Sequence, residues 1–214
     1  LTMKVNNSYT GSTTIAEGTI RIPEMTNAGY ASGIGAASAD AWNMEINGGE
    51  LEVYNSTIMT TDRNFTIGHY DGAINIASYS GNLNITGKLS GSGRLIKNGG
   101  GTLSLHNSNS HKGTVINSGT LQLVDDAANI SGLGDTVTIS GGTLAMNDNS
   151  YSYTDGCSWH IVVPEGKVGK LKLDSRSSLT GKLFGSGKLI LYSPWIRNDL
   201  NGDWSNFEGT IEVT

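Results

Sequence analysis

Four groups of residues in this chain have the types and spacing to do chemistry. The densest is the stretch YSPWIRNDLNGDWSNF, where Tyr192, Trp195, Trp204 and Phe207 alternate with Arg197, Asp199 and amide side chains. Flat aromatic faces flanked by hydrogen-bonding groups suit a pyranose ring and its hydroxyls. Residues 192–207 are therefore a candidate glycan surface with Tyr192, Trp195, Arg197, Asp199, Trp204 and Phe207 as its contacts. The competing reading is a loop whose rings close over the core. Tyr151, Tyr153 and Trp159 form a second, looser cluster.

The acids are less suggestive. Asp125-Asp126 is the only adjacent acidic pair, and Asp148, Asp155 and Asp174 follow, with Arg176 near the last. A polysaccharide lyase needs clustered Asp residues to hold calcium and an Arg or Lys base, and a glycoside hydrolase needs two carboxylates at a set separation. Asp125-Asp126 reads better as a polar turn after a strand. Cys157-x-x-His160 has metal-ligand spacing, but a zinc site takes further ligands, so a buried thiol beside a half-buried His is the expected arrangement. His69, His106 and His111 read as turn residues. Gly-Ser-Gly at 91–93 and 185–187 resembles part of a phosphate loop but leads into no helix. Its glycines are expected at corners with positive φ. Neither a catalytic residue nor a metal or cofactor site is expected.

The elements that position these groups are short strands. The 214 residues include 30 Gly and only 15% charged residues, a profile of strands and tight turns rather than helices. A glycine, one residue and then alternating apolar positions recur as GTIRI (18–22), GELEV (49–53), GAINI (72–76), GTLSL (101–105), GTLQL (119–123), GTLAM (142–146), GKLKL (169–173), GKLIL (187–191) and GTIEV (209–213). Period-two alternation marks strands with one buried face. From Gly101 onward these cassettes start 18, 23, 27, 18 and 22 residues apart, a spacing that suits one turn of a β-solenoid.

A longer repeat overlays the short one. TGKLSGSGRLIK (86–97) and TGKLFGSGKLIL (180–191) share nine of twelve residues. The chain thus reads as a single solenoid unit, 1–214, made of two copies of about 100 residues (about 1–100 and 101–200) and the start of a third. The fold expected is all-β, a right-handed parallel β-helix of about ten coils. Two tandem β-sandwich domains, one per copy, are the alternative.

The residues GSGRLIKNGGGTLSLHNSNSHKGTVINSGTLQL (91–123) resemble the autotransporter-associated β-strand repeat, also called the passenger-associated transport repeat. Residues 1–22 match it in part, and 185–214 match its opening. The same repeat occurs in large secreted proteins of Bacteroidetes. The resemblance implies a parallel β-helical stalk on an exported protein, hence a secreted or bacterial cell-surface location, with any export signal outside this sequence.

The function expected is a non-catalytic structural or adhesive stalk segment. A carbohydrate-binding module using 192–207 is the alternative, and a polysaccharide lyase or glycoside hydrolase stands further back. Expected partners are polysaccharide or host surface glycan and neighbouring domains of the same chain. The net charge of −5 and scattered basic residues disfavour nucleic acid. No apolar run has the roughly 20 residues of a membrane span. The lone Cys157 permits no intrachain disulfide.

Overall fold

The computed structural model describes residues 1–124, 132–147, 154–173, 177–194 and 199–214, with the side chains of 147, 154–156 and 177 outside that description. Two long sheets run side by side along the stack. The first face orders Thr19–Ile22, Glu50–Val53, Gly72–Ile76, Arg94–Asn98, Gly113–Ile116, Thr136–Ile139, His160–Val162 and Leu183–Phe184. The second orders Ile58–Thr61, Asn82–Ile85, Thr102–Leu105, Thr120–Val124, Thr143–Asn147, Val168–Leu173, Lys188–Tyr192 and Thr210–Val213. A third face is made in two parts, Thr13–Ile15 to Leu89–Ser90 and then Thr154–Cys157 to Asp199–Leu200. Neighbouring strands on every face are parallel. This is a parallel β-solenoid, and it removes the alternative of two β-sandwiches, whose sheets are antiparallel.

The solenoid has about six turns, fewer than the ten expected, and among the described residues five turns carry a strand on all three faces. The difference lies in turns that lack a side. The first turn, Thr13–Ile15 and Thr19–Ile22, is followed by residues 23–43, which place no strand on the second face. A single 3-10 turn, Ala41–Asn43, is the only helical element among the described residues.

The period-two cassettes explain why the turns stack. Leu103, Leu121, Leu144, Leu171 and Leu191 align one above another along the second face, all pointing inward. Between Val168–Leu173 and Lys188–Tyr192 the cassettes slip by two residues, so that Leu171 faces Leu191 rather than Leu189. A slip of two keeps every apolar side chain on the core face, which a slip of one would not. One apolar cluster extends from Ile15 to Leu191.

The two runs that share nine of twelve residues do not occupy matching faces. Leu89–Ser90 and Arg94–Asn98 turn from the third face to the first, whereas Leu183–Phe184 and Lys188–Tyr192 turn from the first to the second. What the shared sequence encodes is a corner. In each Gly-Ser-Gly only the leading glycine has the expected positive φ, Gly91 at 125° and Gly185 at 101°. The trailing one is glycine for lack of space, since a Cβ on Gly93 would lie 1.8 Å from the Gly68 carbonyl oxygen of the turn below. Gly93→Ala is therefore expected to lower stability by about 2 kcal/mol in urea unfolding, through overpacking. Gly11→Ala, where a Cβ meets nothing within 4 Å, should leave it unchanged.

Candidate functional site

The described part of 192–207 separates into three environments. Tyr192 ends an outward-facing position of the second face, where the Lys170 and Lys172 ammonium groups lie 5.3 and 5.7 Å from its ring centroid. Two cations already cover that ring, an arrangement worth about 0.5–1 kcal/mol each at an exposed site. Asp199 is exposed in the short third-face strand Asp199–Leu200. Trp204 and Phe207 turn the other way and pack, half-buried, against the apolar core. Phe207 bridges to Gly185 in parallel with the first face, and the backbone closes a turn from Phe207 N to Trp204 O at 3.1 Å. Trp195 and Arg197 lie outside the described residues.

In the described portion, then, Trp204 and Phe207 pack against the core while Tyr192 lies beneath two lysines. The Trp204 Nε1–H is buried and has no acceptor among the described residues. That gives the cap a testable signature. Trp204→Phe keeps the ring and removes an orphaned donor, so it should cost less than about 1 kcal/mol. Trp204→Ala should cost about 2–3 kcal/mol by exposing core, read as thermal unfolding.

The other candidates are also held by structure. Trp159 and Cys157 are buried in the core, at 3% and 0% exposure. His160 is half-buried, accepts a hydrogen bond from Lys182 N at its Nδ1, and sets its ring edge-on to Phe184. His69 packs edge-on against Tyr70, and His106 lies 3.5 Å from Asn84 Oδ1. Asp125, Asp126, Asp148, Tyr151, Tyr153, Asp174 and Arg176, and the side chain of Asp155, lie outside the described residues. Among the described residues no three His, Cys, Asp or Glu side chains are grouped to hold a metal.

Three polar side chains, of which only His111 was singled out in the sequence, sit inside the molecule. His111 lies in the connection before Gly113–Ile116, as expected, but is buried there, 2% exposed, with Nε2 2.8 Å from Thr114 Oγ1. Thr114 in turn donates to Leu133 O at 3.0 Å, so the imidazole is the donor of its pair. Burial lowers its pKa to about 4, keeping it neutral. Lys97 occupies an inward position between Ile74 and Ile116 on the first face. Its ammonium donates to Asn98 O, Gly99 O and Ser118 O at 2.7, 2.9 and 3.2 Å, and burial lowers its pKa to about 8. Arg63, 3% exposed, donates to five carbonyls of residues 26–37. Lys97 had a signal in the sequence, since it falls on the apolar parity of RLIKN. Arg63 had none.

Comparison with known proteins gives a consistent direction. The passenger-associated-transport-repeat model matches residues 1–22 and 95–123. Over 152 residues, 70% of this chain, the sequence is 38% identical to the adhesin BmaC autotransporter of Brucella suis biovar 1 (strain 1330). The match spans about 4% of that protein's length. No solved structure matches the chain.

Proposed function

Since the chain carries passenger-associated transport repeats and is a secreted or cell-surface segment, we propose that it is a non-catalytic stalk segment of a large surface protein of the adhesive kind. The observation that carries this reading is the apolar cluster running from Ile15 to Leu191 through stacked parallel turns. Each turn buries its apolar residues against its neighbours, so added turns lengthen the body without altering the rest. With right-handed crossovers, the hand of about 98% of parallel connections, the two copies form one continuous stack. Its partners are then the neighbouring domains of the same chain, which it holds away from the cell. No helix among the described residues is long and apolar enough to cross a membrane.

Adhesion to a polysaccharide or host surface glycan is the finer reading, and 192–207 is where it would reside. The position of Trp204 and Phe207 against the core supports the cap instead. Affinity electrophoresis of the purified chain through a panel of plant and host polysaccharides, with product analysis with and without calcium, tests both readings. The stalk reading expects no retardation and no cleaved product. Retardation abolished by Trp195→Ala with stability unchanged would overturn it in favour of glycan binding, and release of unsaturated or reducing ends would overturn it in favour of an enzyme.

A further inference from the structure

The second face begins one turn late, and this leaves an edge. Ile58–Thr61 is its first strand, paired on one side to Asn82–Ile85. Asn82 N donates to Thr57 O and Thr86 N to Thr61 O, which fixes the phase of the parallel ladder. Carbonyls 57, 59 and 61 therefore face the next turn, and the N–H and C=O groups of Ile58 and Thr60 face away from it. They face a groove of about 790 Å³ between this strand and the segment 24–31 of the preceding turn.

The groove is held open by its own walls. Arg63 fixes residues 26–37 through five carbonyls, Thr61 Oγ1 donates to Thr26 O at 2.9 Å, and Asp62 accepts from Ala28 N at 2.7 Å. At the Thr61 end the Asn27 Oδ1 takes the Asp62 N–H, as a neighbouring strand's carbonyl would. Beyond that point none of the described residues fills the place of a strand. Met25 and Met59, buried at 2% and 6%, lie beneath, while Ile58 and Tyr30 are 73% and 70% exposed along the rims. Among the described residues Glu24 is the one charged residue lining the groove, since Asp62 at the Thr61 end is offset by the Arg63 guanidinium, and the chain as a whole carries a net charge of −5.

We propose that this groove binds an extended, basic segment of a partner polypeptide with apolar residues at alternate positions, which adds to Ile58–Thr60 as a parallel strand. The mode is strand addition, with main-chain hydrogen bonds supplying affinity and alternate side chains supplying selectivity. The most basic strand of this face supplies a probe sequence. GKLKL (169–173) lies within Val168–Leu173 on this same face, with Leu171 and Leu173 inward and Lys170 and Lys172 outward.

The test is titration of the 15N-labelled chain with acetylated, amidated Gly-Lys-Leu-Lys-Leu, following amide shifts and hydrogen exchange. Saturable shifts centred on Ile58 and Thr60, with slowed exchange of those two amides, are expected. A peptide N-methylated at both Leu residues keeps its charge and side chains but cannot donate, and should bind at least tenfold more weakly. Equal binding of the two peptides, shifts centred elsewhere, or no saturation would overturn the proposal. Because the protein is unaltered throughout, no outcome depends on whether a variant folds.

Discussion

Arg63→Ala is expected to lower the unfolding free energy by about 3–5 kcal/mol, because it leaves several buried carbonyls without a donor at about 1–3 kcal/mol each where water cannot replace it. Arg63 is 3% exposed, and its guanidinium donates to backbone, reaching Thr26 O, Asn27 O, Tyr30 O, Gly35 O and Ala37 O at 2.9–3.2 Å. Burial lowers its pKa, while Asp62 and Tyr9 act in the opposite sense. Removing it strands those carbonyls in a loop with little regular structure of its own to take them up. Arg63→Lys should recover only part of the loss, because an ammonium offers three donors from one point and the carbonyls are spread over a planar fork's reach. Urea unfolding measures the difference, and limited proteolysis should show first cleavage within 24–43. A loss below about 1 kcal/mol would mean that water replaces the side chain and that the loop stands unaided.

The second large effect is on pH dependence, and it comes from Lys97. Its folded pKa is about 8, below the usual lysine value of 10.5, because burial disfavours the charged form and the three carbonyl contacts offset this only in part. Between those two values the unfolded chain binds more protons than the folded one, so stability rises with pH. Below about pH 8 the ammonium is charged in both states and its full desolvation cost is present. Above 10.5 both states are neutral and the cost is gone. The rise should amount to about 3 kcal/mol at most between pH 8 and 10.5. Lys97→Met should lack it, so the informative quantity is the difference between the two proteins, in which other lysines and tyrosines cancel. Parallel pH curves for the two would show that Lys97 reaches solvent.

Much of the solenoid was legible in the sequence for a simple reason: its repeating unit is local. Alternating Leu residues after a glycine report a strand with one buried face, and their spacing reports the length of a turn. The cassettes from Gly101 to Gly209 all fall on the second face, one turn apart, whereas the first three fall on the first face. A cassette announces a corner and a strand but not which of three corners, and that is why TGKLSGSGRLIK and TGKLFGSGKLIL lie on different faces. The number of closed turns was overestimated for the same reason, since a cassette on one face says nothing of whether the other two are filled.

The candidate site was harder to read. Aromatic residues between polar ones look alike whether they face a sugar or close a core, and only the direction of Trp204 and Phe207 separates the cases. Arg63 was invisible because its partners are carbonyls, which every residue has. Lys97 and His111 are conflicts between local pattern and residue type, and both are resolved by partners up to 21 residues away or adjacent in a turn.

The stalk depends on turns stacking in a fixed parallel register, and one cross-linking measurement tests that directly. Thr102 and Thr120 are opposite each other on neighbouring strands of the second face, both directed outward. Neighbouring strands lie about 4.8 Å apart, within the span a disulfide bridges. Thr102→Cys combined with Thr120→Cys should therefore oxidise to an intramolecular bond in high yield under mild conditions. Thr102→Cys with Val124→Cys, displaced by four residues or about 13 Å along the strand, should not. Bond formation by the displaced pair, or by neither, would contradict the stacked register and with it the stalk built upon it.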